Sequence, residues 1–306
     1  MKKLVSICLL TYMHENYIVD CLNSIINQTY PRLELIIYDD YSTDRTMELI
    51  FKTLKNKRNR FEKITILQSK MNTGNICKNV NIMTKYAKGD FVKDFSGDDL
   101  MFPDCIENLV LAFEKNSDIG VVCGKPICIN DKFKLPQDMS LHKFEEATIN
   151  IISGQRVFEK LLHKNFINAP SAMIKRELFI KYGYYNEKIG FEDLDMWLKL
   201  SHHNISFAFI DCKVVFYRRG ESSITNYNSS MGSKKIKYMF MEERKVVKKY
   251  LKYVSPSIQK ECITNLYRMY IDDARAYNLR FFDMKIFKVF INDKISIKEL
   301  FCMERK

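Results

Sequence analysis

Three acidic clusters carry the chemistry this 306-residue sequence can do. In Ile37-Tyr38-Asp39-Asp40-Tyr41-Ser42-Thr43-Asp44, an apolar run ends on two carboxylates before Ser42 and Asp44 open a polar segment. Such an acid either belongs to a helix cap or accepts a hydrogen bond from a nucleobase ring N–H, as uracil provides. In Phe95-Ser96-Gly97-Asp98-Asp99 adjacent acids follow a second apolar run and a glycine. They read either as a turn or as oxygen ligands for Mg²⁺ or Mn²⁺, ions that use one or two protein carboxylates while substrate phosphates complete the shell. The third cluster, Glu192-Asp193-Leu194-Asp195, precedes the single tryptophan, Trp197. Acids at a helix start are favoured by the helix dipole, and one placed against a substrate hydroxyl acts as a general base.

These clusters need a scaffold that gathers strand ends, and the pattern of elements provides one. Residues 5–10 form an apolar strand pattern, and 17–28 place Ile18, Cys21, Leu22, Ile25 and Ile26 at helical spacing before Pro31. Strands are predicted at 33–38, 64–68 and 91–95, helices at 45–55 and 79–87, the last closing at Gly89. This alternation predicts an α/β fold with a mostly parallel sheet, in which ligands bind outside the carboxyl ends of the strands. Further on, helices are predicted at 103–115, 154–163 and 192–202, strands at 120–123 and 214–218, and a loop-rich stretch as far as 147. Past Tyr227 the pattern turns helical and basic, with Tyr238, Phe240, Tyr250, Tyr253, Tyr267 and Tyr270 among lysines.

With 46% apolar residues the chain can bury a large core. The net charge of +12 is concentrated late: residues 231–306 hold 18 Lys or Arg against 9 Asp or Glu, an excess of 9. That tail suits an anionic membrane surface or a helical cap on the body. A nucleic-acid module would explain the basic tail but gives the ordered acids no purpose, so no nucleic-acid partner is expected. Nine scattered cysteines without a CxxC pair suit a reducing compartment, and no stretch approaches a membrane span. A cytoplasmic protein is expected.

Taken in order, the motifs resemble the family 2 inverting glycosyltransferases. The matching segments are Val5 to Tyr12, Ser24 to Tyr30, Asp39 to Asp44, Asn72-Thr73-Gly74 with Lys78-Asn79, Ala87 to Asp90, Ser96 to Asp99, and Glu192-Asp193 with Trp197. The resemblance implies a glycosyltransferase-A fold over residues 1–226, with a nucleotide-binding half (1–100), an acceptor half (101–226) and a basic helical extension (227–306). It implies a nucleotide-sugar donor, in all expectation a UDP-sugar, and a glycan or lipid-linked acceptor in bacterial cell-surface polysaccharide or lipopolysaccharide synthesis. The competing expectation is a non-catalytic nucleotide-sugar-binding or partner protein of the same fold.

Residue by residue, the resemblance implies that Thr11, Tyr12 and Glu15 border the donor pocket, with Tyr12 on the base and Asp40 on the uracil ring. Lys78 stands near the donor, Asp98 and Asp99 hold ribose, sugar and metal-diphosphate, and Asp99 is the metal ligand for Mn²⁺ or Mg²⁺. Asp193 is the implied base, supported by Glu192. Trp197 is implied to pack beneath the site. Three positions depart from the family pattern: Ser96 replaces an Asp, Met13 an Asn, and Gly220 a His in Tyr217-Arg218-Arg219-Gly220. Arg218 or Arg219 is then the expected cation for the diphosphate.

Overall fold

The computed structural model describes residues 2–133, 147–219, 232–276 and positions 286, 289, 292 and 293. The chain divides into two compact units, Met1–Val157 with Ile167–Arg218, and Phe158–Phe166 with Arg219–Lys306.

The first unit is built on one sheet. Strands β1 (Val5–Thr11), β2 (Leu33–Asp39), β3 (Lys63–Gln68) and β4 (Phe91–Ser96) are parallel and run β3-β2-β1-β4 across it. Helices α1 (Ile18–Ile26), α2 (Thr46–Leu54) and α3 (Ile76–Tyr86) make the crossovers, as the alternating pattern predicts. Register is what positions the site: Thr11 lies beside Asp39 and Leu10 beside both Tyr38 and Ser96, so three strand ends finish level. The interior is apolar throughout, with Ile7, Leu9, Ile18, Leu22, Ile25, Leu35 and Ile37 all shielded from solvent. Each such side chain contributes about 1.5–3 kcal/mol of burial.

The entry to β4 is pinned by a buried acid. Glu34 on β2 accepts hydrogen bonds from Ser6 Oγ and from the N–H groups of Lys88 and Gly89. A Cβ on Gly89 would sit 2.6 Å from Ser6 Oγ and 2.8 Å from the Leu4 carbonyl, so glycine is required there.

The sheet continues with β8 (Ala172–Lys175) antiparallel to β4, then β6 (Ile119–Ile129), β9 (Ser206–Arg218) and β5 (Leu100–Met101), with β7 (Ile149–Ile152) also on β9. Helices α4 (Cys105–Lys115), α6 (Arg176–Tyr182) and α7 (Asp193–His202) complete the first unit, and α5 (Gly154–His163) starts in it but has Phe158–His163 in the second. The antiparallel pairing of β5 with β9 sets Leu100 beside Phe216 and Met101 beside Val215, which carries Arg218 to the loop after β4.

Several elements differ from the sequence expectation. α3 begins at Ile76 because the Asn75 side chain accepts the Lys78 N–H as an N-cap. β9 spans Ser206–Arg218 rather than its last five residues, and β5, β7, β8 and α6 were not predicted. Of the loop-rich stretch, β6 takes residues up to Ile129, and 134–146 lie outside the described residues.

In the second unit α8 (Gly232–Tyr250) and α9 (Pro256–Ala276) pack on each other through rings, Phe240 lying 5.0 Å from Tyr267 and 4.7 Å from Tyr270. Arg244, Lys248 and Tyr267 all donate to the carboxylate of Asp293. Of the six interleaved aromatics, Phe240, Tyr250, Tyr267 and Tyr270 are buried, and only Tyr238 and Tyr253 lie at the surface. Among the described residues no helix is long and apolar enough to cross a membrane.

Candidate active site

At the level ends of β1, β2 and β4, short polar contacts organise three loops. The Asp40 N–H donates to the Thr11 carbonyl and the Gly97 N–H to the Leu10 carbonyl, each at 2.9 Å. Gly97 comes so close to β1 that a Cβ would lie 2.7 Å from His14 Nδ1, 3.0 Å from Thr11 Oγ1 and 3.2 Å from Ile18 Cδ1. Thr11 is buried, and its hydroxyl lies 3.3 Å from His14 Nδ1. His14 was not among the residues singled out from sequence, since a lone histidine after a strand carries no pattern. Burial holds its imidazole below the ordinary range, while the charges of Asp98, Asp44 and Asp39 pull the other way.

Tyr12 projects into solvent from this edge, as do Met13 and Tyr41. Met13 and Tyr41 take left-handed backbone conformations, φ 55° and 69°, which bulky residues adopt only when their surroundings enforce it. The enforcing contacts are mutual: the Met13 N–H donates to Ser42 Oγ, and the Thr43 N–H reaches Met13 Sδ. Met13 thus fixes the turn that presents Tyr12.

The two acids ending β2 divide their work. Asp39 accepts from the Ser42 N–H and hydroxyl and from Gln68 Nε2, which makes it the local turn-forming acid. Asp40, 5% exposed, accepts from the Thr73 N–H and hydroxyl at 3.0 Å and from the Gly74 N–H at 3.2 Å. A carboxylate offers about four acceptor positions, so one remains for a ligand. Glu15 is occupied differently from the expectation of a pocket residue: its carboxylate accepts the Arg45 N–H, and its own N–H donates to Asp44, so both secure the start of α2. Lys78 is exposed on the first turn of α3, where Asn75 also donates to the Glu187 carbonyl on the segment leading to Glu192.

Asp98 and Asp99 sit in the turn after β4. Ser96, in place of a third acid, donates its hydroxyl to Asp98. Asp99 is buried and accepts the Arg218 N–H at 2.7 Å. Burial, then the Asp98 charge, pushes its carboxyl well above the usual range, against the pull of the Arg218 N–H, Lys93 and the Arg218 charge. Lys93 is fully buried and donates to the Pro170 and Asp94 carbonyls. Two hard oxygen donors with an unmet need for positive charge fit Mg²⁺ or Mn²⁺. Among the described residues no third His, Cys, Asp or Glu joins them, so such an ion would rely on substrate oxygens for the rest of its shell.

Arg218 has a different placement from a cation offered to a ligand. It is 4% exposed, its guanidinium donates to the Asp98 and Asn130 carbonyls at 2.8 and 2.7 Å, and it lies 4.6 Å from the Tyr17 ring. It braces the Asp98-Asp99 turn from behind. Arg219 is exposed beside it, and Gly220 lies outside the described residues.

Glu192 and Asp193 open α7 against β4. Asp193 accepts the N–H of Leu194 at 2.7 Å. Burial first, and then the charge of Asp193, pushes the Glu192 carboxyl up to about 8. Near neutral pH Glu192 therefore keeps its proton. Asn81 ties α3 to this region by donating to the Tyr185 carbonyl and accepting the Tyr185 N–H. Trp197 is buried and lines one small cavity with the pair. The structure thus gathers Thr11, Tyr12, Asp40, Asp98 and Asp99 on one edge, with Glu192 and Asp193 packed on the same β4.

The family described as Glycosyl transferase family 2 matches residues 6–183. An "Uncharacterized glycosyltransferase" of Haemophilus influenzae is 26% identical over 96% of this chain and 98% of its own length. Among solved structures, Staphylococcus aureus TarS 1-349 in complex with UDP-GlcNAc superposes with TM-score 0.58 at 19% identity, covering 88% of this chain and 81% of that one. The Pyrobaculum calidifontis mannosyltransferase PcManGT, in complex with GDP-Man and Mn²⁺, gives 0.59 at 18% identity, covering 90% and 74%. These likenesses bear out the glycosyltransferase-A fold.

Proposed function

Because the chain belongs to glycosyl transferase family 2, we propose that it moves a sugar from a UDP-sugar to a hydroxyl of a glycan or lipid-linked acceptor, with inversion at the anomeric carbon. The observation that carries this reading is the acid pair at the start of α7, Glu192 and Asp193, which lines one cavity with Val92 and Asp94 of the strand that runs into Asp98-Asp99. The TarS complex with UDP-GlcNAc supports a UDP-linked donor.

In this mechanism Tyr12 stacks on the base, Asp40 accepts its ring N–H, and Lys78 stands by the donor. Asp98 faces ribose and sugar. Asp99, beside Asp98, would hold Mg²⁺ or Mn²⁺, which would supply positive charge to the diphosphate. Asp193 takes the proton from the acceptor hydroxyl as its oxygen bonds to the anomeric carbon. The bond from that carbon to the diphosphate oxygen breaks with its electron pair, and UDP leaves from the opposite face. Glu192, neutral, adds no second negative charge near the attacking oxygen and donates a hydrogen bond to hold its neighbour or the acceptor. Arg218 keeps the Asp98-Asp99 turn rigid, and Arg219 is the diphosphate cation.

The place of action is the cytoplasmic side of the cell envelope, in cell-surface polysaccharide or lipopolysaccharide assembly. The basic tail, 231–306, makes peripheral contact there with anionic lipid. A panel of UDP-sugars tested for Mn²⁺- or Mg²⁺-dependent protection against thermal unfolding identifies the donor. No protection by any UDP-sugar with either ion would remove the donor assignment.

A further inference from the structure

One interior acid has no part in the chemistry above. Asp94 stands on β4, its backbone beside Cys8 of β1. Its Oδ2 accepts the Tyr185 hydroxyl at 2.6 Å, and its Oδ1 is buried with no hydrogen-bond partner. On α7 the indole N–H of Trp197 is likewise buried and unpartnered. Both residues line one cavity of about 10 Å³, whose walls also include Tyr185, Glu192 and Asp193. That volume accommodates about one water molecule, and buried waters occur where polar groups would otherwise be left unsatisfied.

We propose that this cavity holds one water, donating to Asp94 Oδ1 and accepting from the Trp197 indole N–H, and that through it Asp94 is a positioning residue for the Glu192–Asp193 pair. A buried acceptor and a buried donor, both without partners and both lining one small cavity, are what a single water satisfies at once. Its second hydrogen remains for a carboxylate of the pair. The inference rests on the reading of Asp193 as the base, but the water itself does not.

The same placement gives Asp94 an electrostatic role. The groups facing the pair are Asp94 from β4, Tyr185 from the segment before α7, and Cys77 from α3. Asp94 in turn is faced by Lys93, by Cys8 of β1 and by Glu192. The Asp94 charge adds to the burial and the Asp193 charge that keep a proton on Glu192. Burial also pushes Asp94 up to about 6, opposed by the Tyr185 hydroxyl and the Lys93 charge. The two acids therefore ionise in separate ranges around a shared cavity.

Trp197 is the only tryptophan in the chain, so its emission reports this cavity without any ligand. Emission of the full-length protein, titrated from pH 5 to 9, is expected to change in two steps. Asp94→Asn removes the lower step and moves the upper one down by about half a pH unit, since a nearby negative charge favours the protonated acid. The acid limb of kcat/KM for UDP-GlcNAc hydrolysis, used as the probe reaction, moves the same way with KM unchanged. A crystal structure of the wild-type protein, resolved well enough to place waters, shows one within hydrogen-bond distance of both orphaned atoms. An empty cavity, or identical emission titrations for wild type and Asp94→Asn, overturns the proposal. Loss of the catalytic reading alone would abolish the kinetic readout and leave the water and the emission steps in place.

Discussion

Replacing Arg218 with alanine separates a brace from a ligand contact. The side chain supplies two charge-assisted hydrogen bonds, to the Asp98 and Asn130 carbonyls, and stacks on Tyr17. Hydrogen bonds from charged groups are each worth about 1.5–3 kcal/mol, and the ring contact adds about 0.5–1 kcal/mol. Water partly re-solvates the freed carbonyls, so a net loss of about 3–4 kcal/mol is expected. For a unit of this size that corresponds to a fall in Tm of roughly 6–16 °C. Thermal unfolding measured without donor or metal reads this directly. UDP binding should weaken in the same variant, because the turn carrying Asp98 and Asp99 loses its support. Arg218→Lys should recover little, since one ammonium cannot reach both carbonyls and stack on a ring. An unchanged Tm combined with lost UDP affinity would refute the brace and make Arg218 a direct contact of the diphosphate.

Asp193→Asn should keep UDP-sugar affinity while turnover falls by about 10²–10⁴, the usual contribution of a positioned base. Measuring kcat and KM separately decides this, and near wild-type kcat would exclude Asp193 as the base. Gly97→Ala places a methyl 2.7 Å from His14 Nδ1 and should cost about 1–3 kcal/mol while raising the donor KM. Acid raises stability in one defined window. Asp94 is lifted from 3.8 to about 6 and Glu192 from 4.5 to about 8, so the folded state binds more protons than the unfolded one. Their contribution is full below about pH 4 and disappears as pH rises through 6 and 8. Chemical denaturation across pH 5–9 should show that decline, with Asp94→Asn flattening its lower part. Liposome co-sedimentation with anionic vesicles should fall when residues 231–306 are removed, after a check that the shortened chain still folds.

Much of the edge where β1, β2 and β4 end was legible because local signals and topology agree there. Alternating apolar runs and helical spacing gave β1 to β4 with their crossovers, and those strands necessarily deliver Thr11, Asp40 and Asp98-Asp99 to one edge. The second half resisted for physical reasons. β5 is two residues long and exists only as a partner of β9. β9 has register shifts opposite β6, so no single pairing pattern runs along its length. β8 is a four-residue strand stabilised by neighbours on both sides. Arg218 looks like a free cation in sequence because the carbonyls it braces come from positions 98 and 130. Asp94 is harder still, since its partner Tyr185 is 91 residues away.

The three hydrogen bonds that Asp40 spends on Thr73 and Gly74 also bear on which nucleotide is admitted. With one acceptor position left, the carboxylate suits a base edge that presents a single ring N–H, as uracil does. Guanine presents a ring N–H beside an exocyclic amine and binds a carboxylate best through both oxygens. In the proposed donor complex the turn at residues 73–74 would then act as a selectivity filter one layer behind the base. Loosening it with Thr73→Ala, which frees part of one Asp40 oxygen, should narrow the preference for UDP over GDP in competition binding.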